Sequence, residues 1–344
     1  MFELYYARLG PSRSRRYSPG MVQSGDMTKA GQIETVLPGL YEMMRACCAC
    51  GHRCGVDRTG NARGFCNTSA KDLHHAAYAS HTLHFGEEPP LVGRGGSGAV
   101  FFSGCNLRCV FCQNYQISQG ELGESIHYTD LARIFLGLQE QGAENINLVT
   151  PTHYIYPIME ALLEACRQGL DLPIVYNTNG YELELLAMLE HIVEIYLPDM
   201  KYMEPAHGLA YSKAENYPAV AKPAVKEMYR QVGPLVMQDG VAKRGLIVRH
   251  LILPNNLSNT YDFLLWMRDE GMDQATVSLM SQYSPQFKAR DYPELRGRIS
   301  RSEYRKIVEY ALDLGFEHLL TQGLDSSDLY LPDFRRDLPF APDS

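Results

Sequence analysis

The chain has 344 residues, 45% of them hydrophobic, enough to bury a large core as one large domain or two smaller ones. A formal net charge of -8 gives no basic footprint, which argues against nucleic acid as a partner. No run approaches the roughly 18 apolar residues of a membrane span and no signal-peptide core opens the chain, so a cytoplasmic protein without a membrane partner is expected.

Residues 1–40 mix Gly, Ser, Pro and Arg without apolar periodicity, and a flexible tail is expected there. Residues 41–95 lack long periodic segments and are rich in Cys, His and Gly, as in a small module organised by a metal. After Ser97 a βα alternation begins and runs to about residue 325, with 326–344 left as a C-terminal tail. Apolar runs predict strands at Ala99–Phe102, Asn145–Val149, Pro173–Tyr176, Ile192–Leu197, Leu246–Leu253, Ala275–Leu279 and His318–Leu320. Helical patterns fall at Thr129 to Gly142, Pro157–Arg167, Glu182–Leu189, and near 218–230, 259–270 and 302–314. Such alternation implies parallel pairing with right-handed crossovers, hence an α/β fold built as an open sheet or a full or partial barrel, with function at the C-terminal ends of the strands.

Eight of the nine cysteines fall in two short clusters, and in a reducing compartment clustered thiols read as metal ligands before they read as disulfides. The second cluster is Ser103-Gly-Cys105-Asn-Leu-Arg-Cys109-Val-Phe-Cys112, directly after the first strand of the alternation. Three thiolates on one loop leave a [4Fe-4S] cubane with one iron lacking a nearby protein ligand, unlike the four-cysteine runs of ferredoxins. A zinc site or inert core thiols are the competing readings.

At these residues the chain resembles the radical S-adenosylmethionine (SAM) superfamily, and within it the pyruvate formate-lyase-activating enzymes and their paralogues, over roughly residues 41–325. The resemblance implies a partial (β/α)6 barrel in which Cys105, Cys109 and Cys112 hold the cluster. In that family SAM chelates the open iron and one electron cleaves it to a 5′-deoxyadenosyl radical that abstracts hydrogen, and the same chemistry is expected here. It further implies Phe111 near the adenine, and a SAM wall from Asn177 and Asn179 of Tyr176-Asn-Thr-Asn179-Gly, Asp199 and Lys201 of Asp-Met-Lys, and Arg249. Where those activating enzymes carry Gly-Gly-Glu-Pro, this chain has Val149-Thr-Pro-Thr-His153, and Thr150, Thr152 and His153 are the candidates to rebuild that wall. An electron donor of the flavodoxin or ferredoxin class is implied. So is a substrate that is either a glycyl radical enzyme or a peptide or small molecule; a metal-binding protein without turnover is the non-enzymatic alternative.

The first cluster, Cys47, Cys50, Cys54 and Cys66 with Cys48 and His52 to spare, has the spacing C-x2-C-x3-C-x11-C and is a candidate second metal site, for zinc or a second iron-sulfur cluster. Cys166 lies in an apolar helical pattern and reads as a structural thiol. His74, His75, His81 and His84 read as polar surface.

Overall fold

Alternation of inward and outward side chains along each strand, with a period of two, decides what this fold places in its interior. The protein, described here from a computed structural model, is characterised over residues 27–60, 62–68, 70–120, 122–324, 331–336 and 339–340, with the backbone of 2–3. The strands are β1 (Phe2–Glu3), β2 (His75–His84), β3 (Ser97–Phe102), β4 (Glu124–His127), β5 (Ile146–Val149), β6 (Ile174–Thr178), β7 (Ile195–Pro198), β8 (Val236–Gln238), β9 (Val241–Leu251), β10 (Thr276–Met280) and β11 (Leu319–Gln322). The α-helices are α1 (Lys29–Arg45), α2 (Pro89–Val92), α3 (Tyr115–Ser118), α4 (Tyr128–Glu140), α5 (Ile155–Arg167), α6 (Pro205–Ser212), α7 (Tyr217–Val232), α8 (Thr260–Asp269) and α9 (Arg301–Asp313).

β3, β5, β6, β7, β9, β10 and β11 are successive parallel neighbours. β2 and then β4 extend the sheet antiparallel at one end, and β1 pairs antiparallel with β11 at the other. The two ends do not pair, so the expected α/β partial barrel is present as an open sheet. It has seven parallel strands where the resemblance implied six. The expected helix over Glu182–Leu189 shortens to a 3₁₀ turn at Glu184–Met188, because Glu182 is drawn into the core by the hydroxyls of Thr178 and Thr152.

Odd and even positions divide cleanly. Tyr176 and Tyr196 join the large core beneath the helices, whereas Val175, Ile195, Leu197, Ile247 and Leu320 form a separate apolar cluster with Leu91 inside the barrel. Leu91 belongs to α2, a single turn begun by Pro89 and Pro90, so the segment before β3 plugs the barrel floor.

The expected tail requires a correction. From Lys29 the chain is helical, capped by Thr28, and Ile33, Leu40, Met43 and Met44 are buried at helical spacing. Ion pairs tie this helix to the barrel, Lys29 to Glu194 at 2.7 Å and Arg167 to Glu34 at 2.5 Å. Gly31, Pro38 and Gly39 hide the stripe from a reading by propensity. The rest of the expected tail, apart from the short β1, lies outside the described residues. Past residue 325, Phe334 and Phe340 pack against Phe101 of β3, and Phe334 N donates to Gln116 Oε1 at 2.7 Å.

Candidate functional site

The loop leaving β3 carries the three cysteines. It starts with Gly104 at φ +81°, where a Cβ would stand 2.7 Å from the Cys66 carbonyl, so only glycine lets the two cysteine segments meet this closely. That carbonyl accepts from Cys105 N at 3.3 Å. Cys105 Sγ receives Leu107 N at 3.3 Å, Cys109 Sγ meets Ser212 Oγ at 3.0 Å, and Cys112 Sγ meets Ser118 Oγ at 3.2 Å. Burial, followed by the neighbouring Cys109, pushes the thiol of Cys112 up to about 11 and that of Cys105 higher still, with Lys201 acting the other way on both. Each sulfur is turned to a protein partner. Among the described residues, no three His, Cys, Asp or Glu side chains form a ready-made metal cage.

All three cysteines open on one cavity of about 240 Å³, which runs from this loop into the barrel. Phe111, Thr150, Asn177, Asn179, Asp199, Lys201 and Arg249, all candidates from the sequence, line it. Strand alternation explains why. Asn177 and Arg249 lie two residues beyond the inward Val175 and Ile247, and Asp199 two beyond Leu197. Asn179 Nδ2 donates to Asn106 Oδ1 at 2.6 Å and lies 3.7 Å from Cys105 Sγ, which ties the end of β6 to the cysteine loop. Thr150 adopts φ +55°, a conformation costly for a β-branched residue, where the chain turns off β5.

A buried charge network fills the cavity wall. Arg249 donates from Nε to Asp199 Oδ1 at 2.8 Å, from Nη2 to Asn177 Oδ1 at 2.7 Å and from Nη1 to Glu87 Oε1 at 3.3 Å. Lys201 Nζ donates to the other Asp199 oxygen at 2.7 Å. Burial works to raise the Asp199 carboxyl, but the charges of Arg249 and Lys201 outweigh it and hold the group below its usual range.

Glu87 and Glu88 were missed in the sequence. They stand just before the plug helix α2, and nothing periodic marks them; the adjoining Pro-Pro is the one local signal that the segment turns inward. Asn147 Nδ2 donates to Glu87 Oε2 at 2.8 Å, so the carboxylate is anchored at the base of β5.

Thr152 is corrected. It does not line the cavity: its Oγ1 donates to Glu182 Oε2 at 3.2 Å and accepts from Tyr176 OH at 3.1 Å on the outward side of the sheet. Glu182 is fully buried there, and burial pushes its carboxyl up to about 8 against the Thr178 and Thr152 hydroxyls. His153 also points away, its Nε2 bonded to the Ser103 carbonyl at 2.9 Å, and burial pulls its ring down to about 3. His84, expected on the surface, lines the cavity mouth against Phe340.

The first cysteine cluster folds against the second. Arg58 donates from Nε to Cys47 Sγ at 3.0 Å and from Nη2 to Cys66 Sγ at 2.8 Å, so a guanidinium edge is what these two sulfurs meet. Cys54 Sγ reaches the same corner, 2.8 Å from where a Cβ on Gly64 would stand. Burial raises the Cys50 thiol to about 12. His52, the spare ligand candidate, stacks on Phe65 at 3.7 Å and bonds the Asn106 carbonyl at 2.9 Å, which fastens the two cysteine loops together.

The model of the radical SAM superfamily matches residues 99–204, from β3 through the cysteine loop to the Asp199 and Lys201 segment. A protein of Methanocaldococcus jannaschii, titled "Uncharacterized protein MJ0674", is 31% identical over 307 residues, 83% of each chain. This chain belongs to the radical SAM superfamily. Among solved structures, "Structure of TYW1 with a lysine-pyruvate adduct bound" aligns with a TM-score of 0.34 and 13% identity over 61% of this chain and 69% of that one. The residues of this radical SAM site fit a [4Fe-4S] cluster with SAM. Three thiols open on one cavity from a single short loop, hydroxyl and amide groups already stand at their sulfurs, and the adjoining wall presents the amide, carboxylate and cationic groups of Asn177, Asn179, Asp199 and Lys201. No helix among the described residues is long and apolar enough to cross a membrane.

Proposed function

We propose that this radical SAM enzyme abstracts hydrogen from a substrate held inside the barrel, and that Cys105, Cys109 and Cys112 are the cluster ligands. When bound, the reduced cluster and SAM supply a 5′-deoxyadenosyl radical. The single observation that carries the reading is the shared cavity, which joins the three thiols to a polar wall inside the barrel.

This chain's own residues would do the rest. Ser212, Ser118 and the Leu107 amide orient the thiolates, and Asn179 fixes the loop against β6. Asp199, held between Arg249 and Lys201, presents a fixed carboxylate toward SAM's polar groups. Phe111, buried beside Tyr283, offers an apolar face for the adenine. Phe340, His84 and Phe101 screen the mouth from water.

Of the two substrate classes, a peptide or small molecule is favoured over a glycyl radical enzyme, because Val149-Thr-Pro-Thr-His153 departs from the motif of the activating enzymes and turns Thr152 and His153 away from the cavity. A flavodoxin- or ferredoxin-class donor supplies the electron in this reading, and the setting is the cytoplasm. Cys47, Cys50, Cys54 and Cys66 are proposed to hold a second metal, zinc or iron-sulfur, with Arg58 donating to two of the thiolates as an outer partner. The test is anaerobic reconstitution with deuterated candidates: deuterium in 5′-deoxyadenosine from a small molecule or peptide supports the favoured class, and deuterium from a glycyl radical enzyme alone overturns it. Metal analysis of Cys50→Ala checks the second site, which predicts loss of its metal with the catalytic iron retained.

A further inference from the structure

We infer that Glu88 is a substrate-binding residue, and that the substrate carries a cationic nitrogen, an amine or a guanidinium, which this carboxyl receives inside the barrel. The inference rests on the radical SAM reading of the cavity and adds the chemistry of the substrate group it receives.

Glu88 is 3% exposed, lines the cavity, and its Oε2 makes no hydrogen bond, although the Ser278 hydroxyl, itself without a partner, stands beside the carboxyl. The other carboxylates there are satisfied: Asp199 has Lys201 and Arg249, and Glu87 has Arg249 and Asn147. Arg249 is spent on Asp199, Glu87 and Asn177, so it offers Glu88 no bond. Glu88 thus remains the one cavity carboxyl without an ion pair among the described residues.

A second orphan faces the same space. Gln322 at the end of β11 lines the cavity, its Nε2 donating to Gln282 Oε1 at 3.0 Å, and this leaves its own Oε1 without a partner. Both unmatched atoms in the cavity lining are acceptors. Buried acceptors left unpaired cost about 1–3 kcal/mol each, so a ligand that completes them must bring N–H donors, and one facing a carboxylate gains most if it is charged.

SAM also carries an ammonium group, but the family resemblance places that group on the open iron beside the cysteine loop, whereas the charged groups around Glu88 are Glu87, Arg249 and Asp199 and none of the three cysteines. Its neighbour Glu87 is bonded by Asn147, Asn177 and Arg249, so the two glutamates sit beside the Asp199 wall inside the barrel. The unpaired carboxyl is thus left for a molecule other than SAM.

The test uses anaerobically reconstituted holoenzyme with SAM bound, titrated calorimetrically with n-butylguanidinium and with its neutral isostere n-butylurea. The wild type should bind the cation and discriminate against the urea. Glu88→Gln should weaken the cation by about tenfold or more, and Gln322→Leu by less, while SAM affinity stays within about threefold of wild type. Retained SAM binding also shows that the variants are folded. Equal binding of cation and urea, or equal cation affinity in wild type and Glu88→Gln, overturns the inference while leaving the radical SAM reading intact. A tenfold loss of SAM affinity in Glu88→Gln overturns it differently, by assigning the carboxyl to SAM's own ammonium. Failure of the wild type to bind SAM removes the underlying reading and the inference with it.

Discussion

Replacing Asp199 by Asn should cost far more stability than its isosteric shape suggests. The carboxylate receives Arg249 Nε at 2.8 Å and Lys201 Nζ at 2.7 Å, and all three side chains are less than one-fifth exposed. Removing one partner of a buried ion pair strands charge in a poorly solvated interior and typically costs about 3–5 kcal/mol. Arg249 keeps Glu87, but Lys201 has no other ion pair among the described residues, so the middle of that range applies. An unfolding entropy of about 2.1 cal/mol/K per residue gives roughly 0.7 kcal/mol/K for this chain. The expected fall in Tm is therefore about 5–6 °C, measured by anaerobic thermal melting of reconstituted protein at pH 7. The double variant Asp199→Asn, Arg249→Met should lose less than the sum of its parts, because the second substitution removes one of the stranded cations. SAM affinity should fall in both variants while iron content holds. A Tm within about 1 °C of wild type, or strict additivity in the cycle, would refute the argument that these charges depend on one another.

Two further outcomes follow from the outward side of the sheet. Burial holds the Glu182 carboxyl at about 8 against a reference near 4.5, so the folded chain keeps a proton that the unfolded chain releases. Its contribution is full below about pH 4.5 and is lost as pH rises through about 8, by up to about 5 kcal/mol in total; Glu182→Gln should flatten that part of the curve of stability against pH, and parallel curves for the two proteins would contradict it. Thr152→Val removes one hydroxyl from Glu182 and Tyr176, and should lower stability by about 1–2 kcal/mol with SAM affinity unchanged. Tenfold weaker SAM binding would return Thr152 to the cofactor wall.

Local pattern carried the strands well. Apolar runs at Ala99–Phe102, Asn145–Val149 and Ala275–Leu279 became β3, β5 and β10 with ends shifted by one or two residues, because a strand buried on both faces is a continuous apolar run. Asn177, Asp199 and Arg249 were legible only through the motifs of the family resemblance, and the alternation seen in the structure explains why they face the cavity. Thr152 shows where spacing stops helping. It follows a positive φ at Thr150, which reverses the chain into a 3₁₀ turn and sends the side chain to Glu182. Glu87 and Glu88 were invisible for another reason: the plug owes its place to Leu91 meeting strands more than 80 residues downstream, a contact without a local period. Helix α1 was hidden by its own glycines and proline, and its stability comes from tertiary packing of Ile33 and Leu40, not from propensity.

The central claim is that Cys105, Cys109 and Cys112 hold the cluster that cleaves SAM. It is tested most directly by quantifying 5′-deoxyadenosine after anaerobic reconstitution, with SAM and a strong reductant, in wild type and in the variant with all three cysteines changed to Ala. The wild type should form 5′-deoxyadenosine only when reductant is present, and the triple variant should form none while keeping the far-ultraviolet circular dichroism of the folded barrel. Equal yield from the folded triple variant, or none from iron-loaded wild type, would contradict the account.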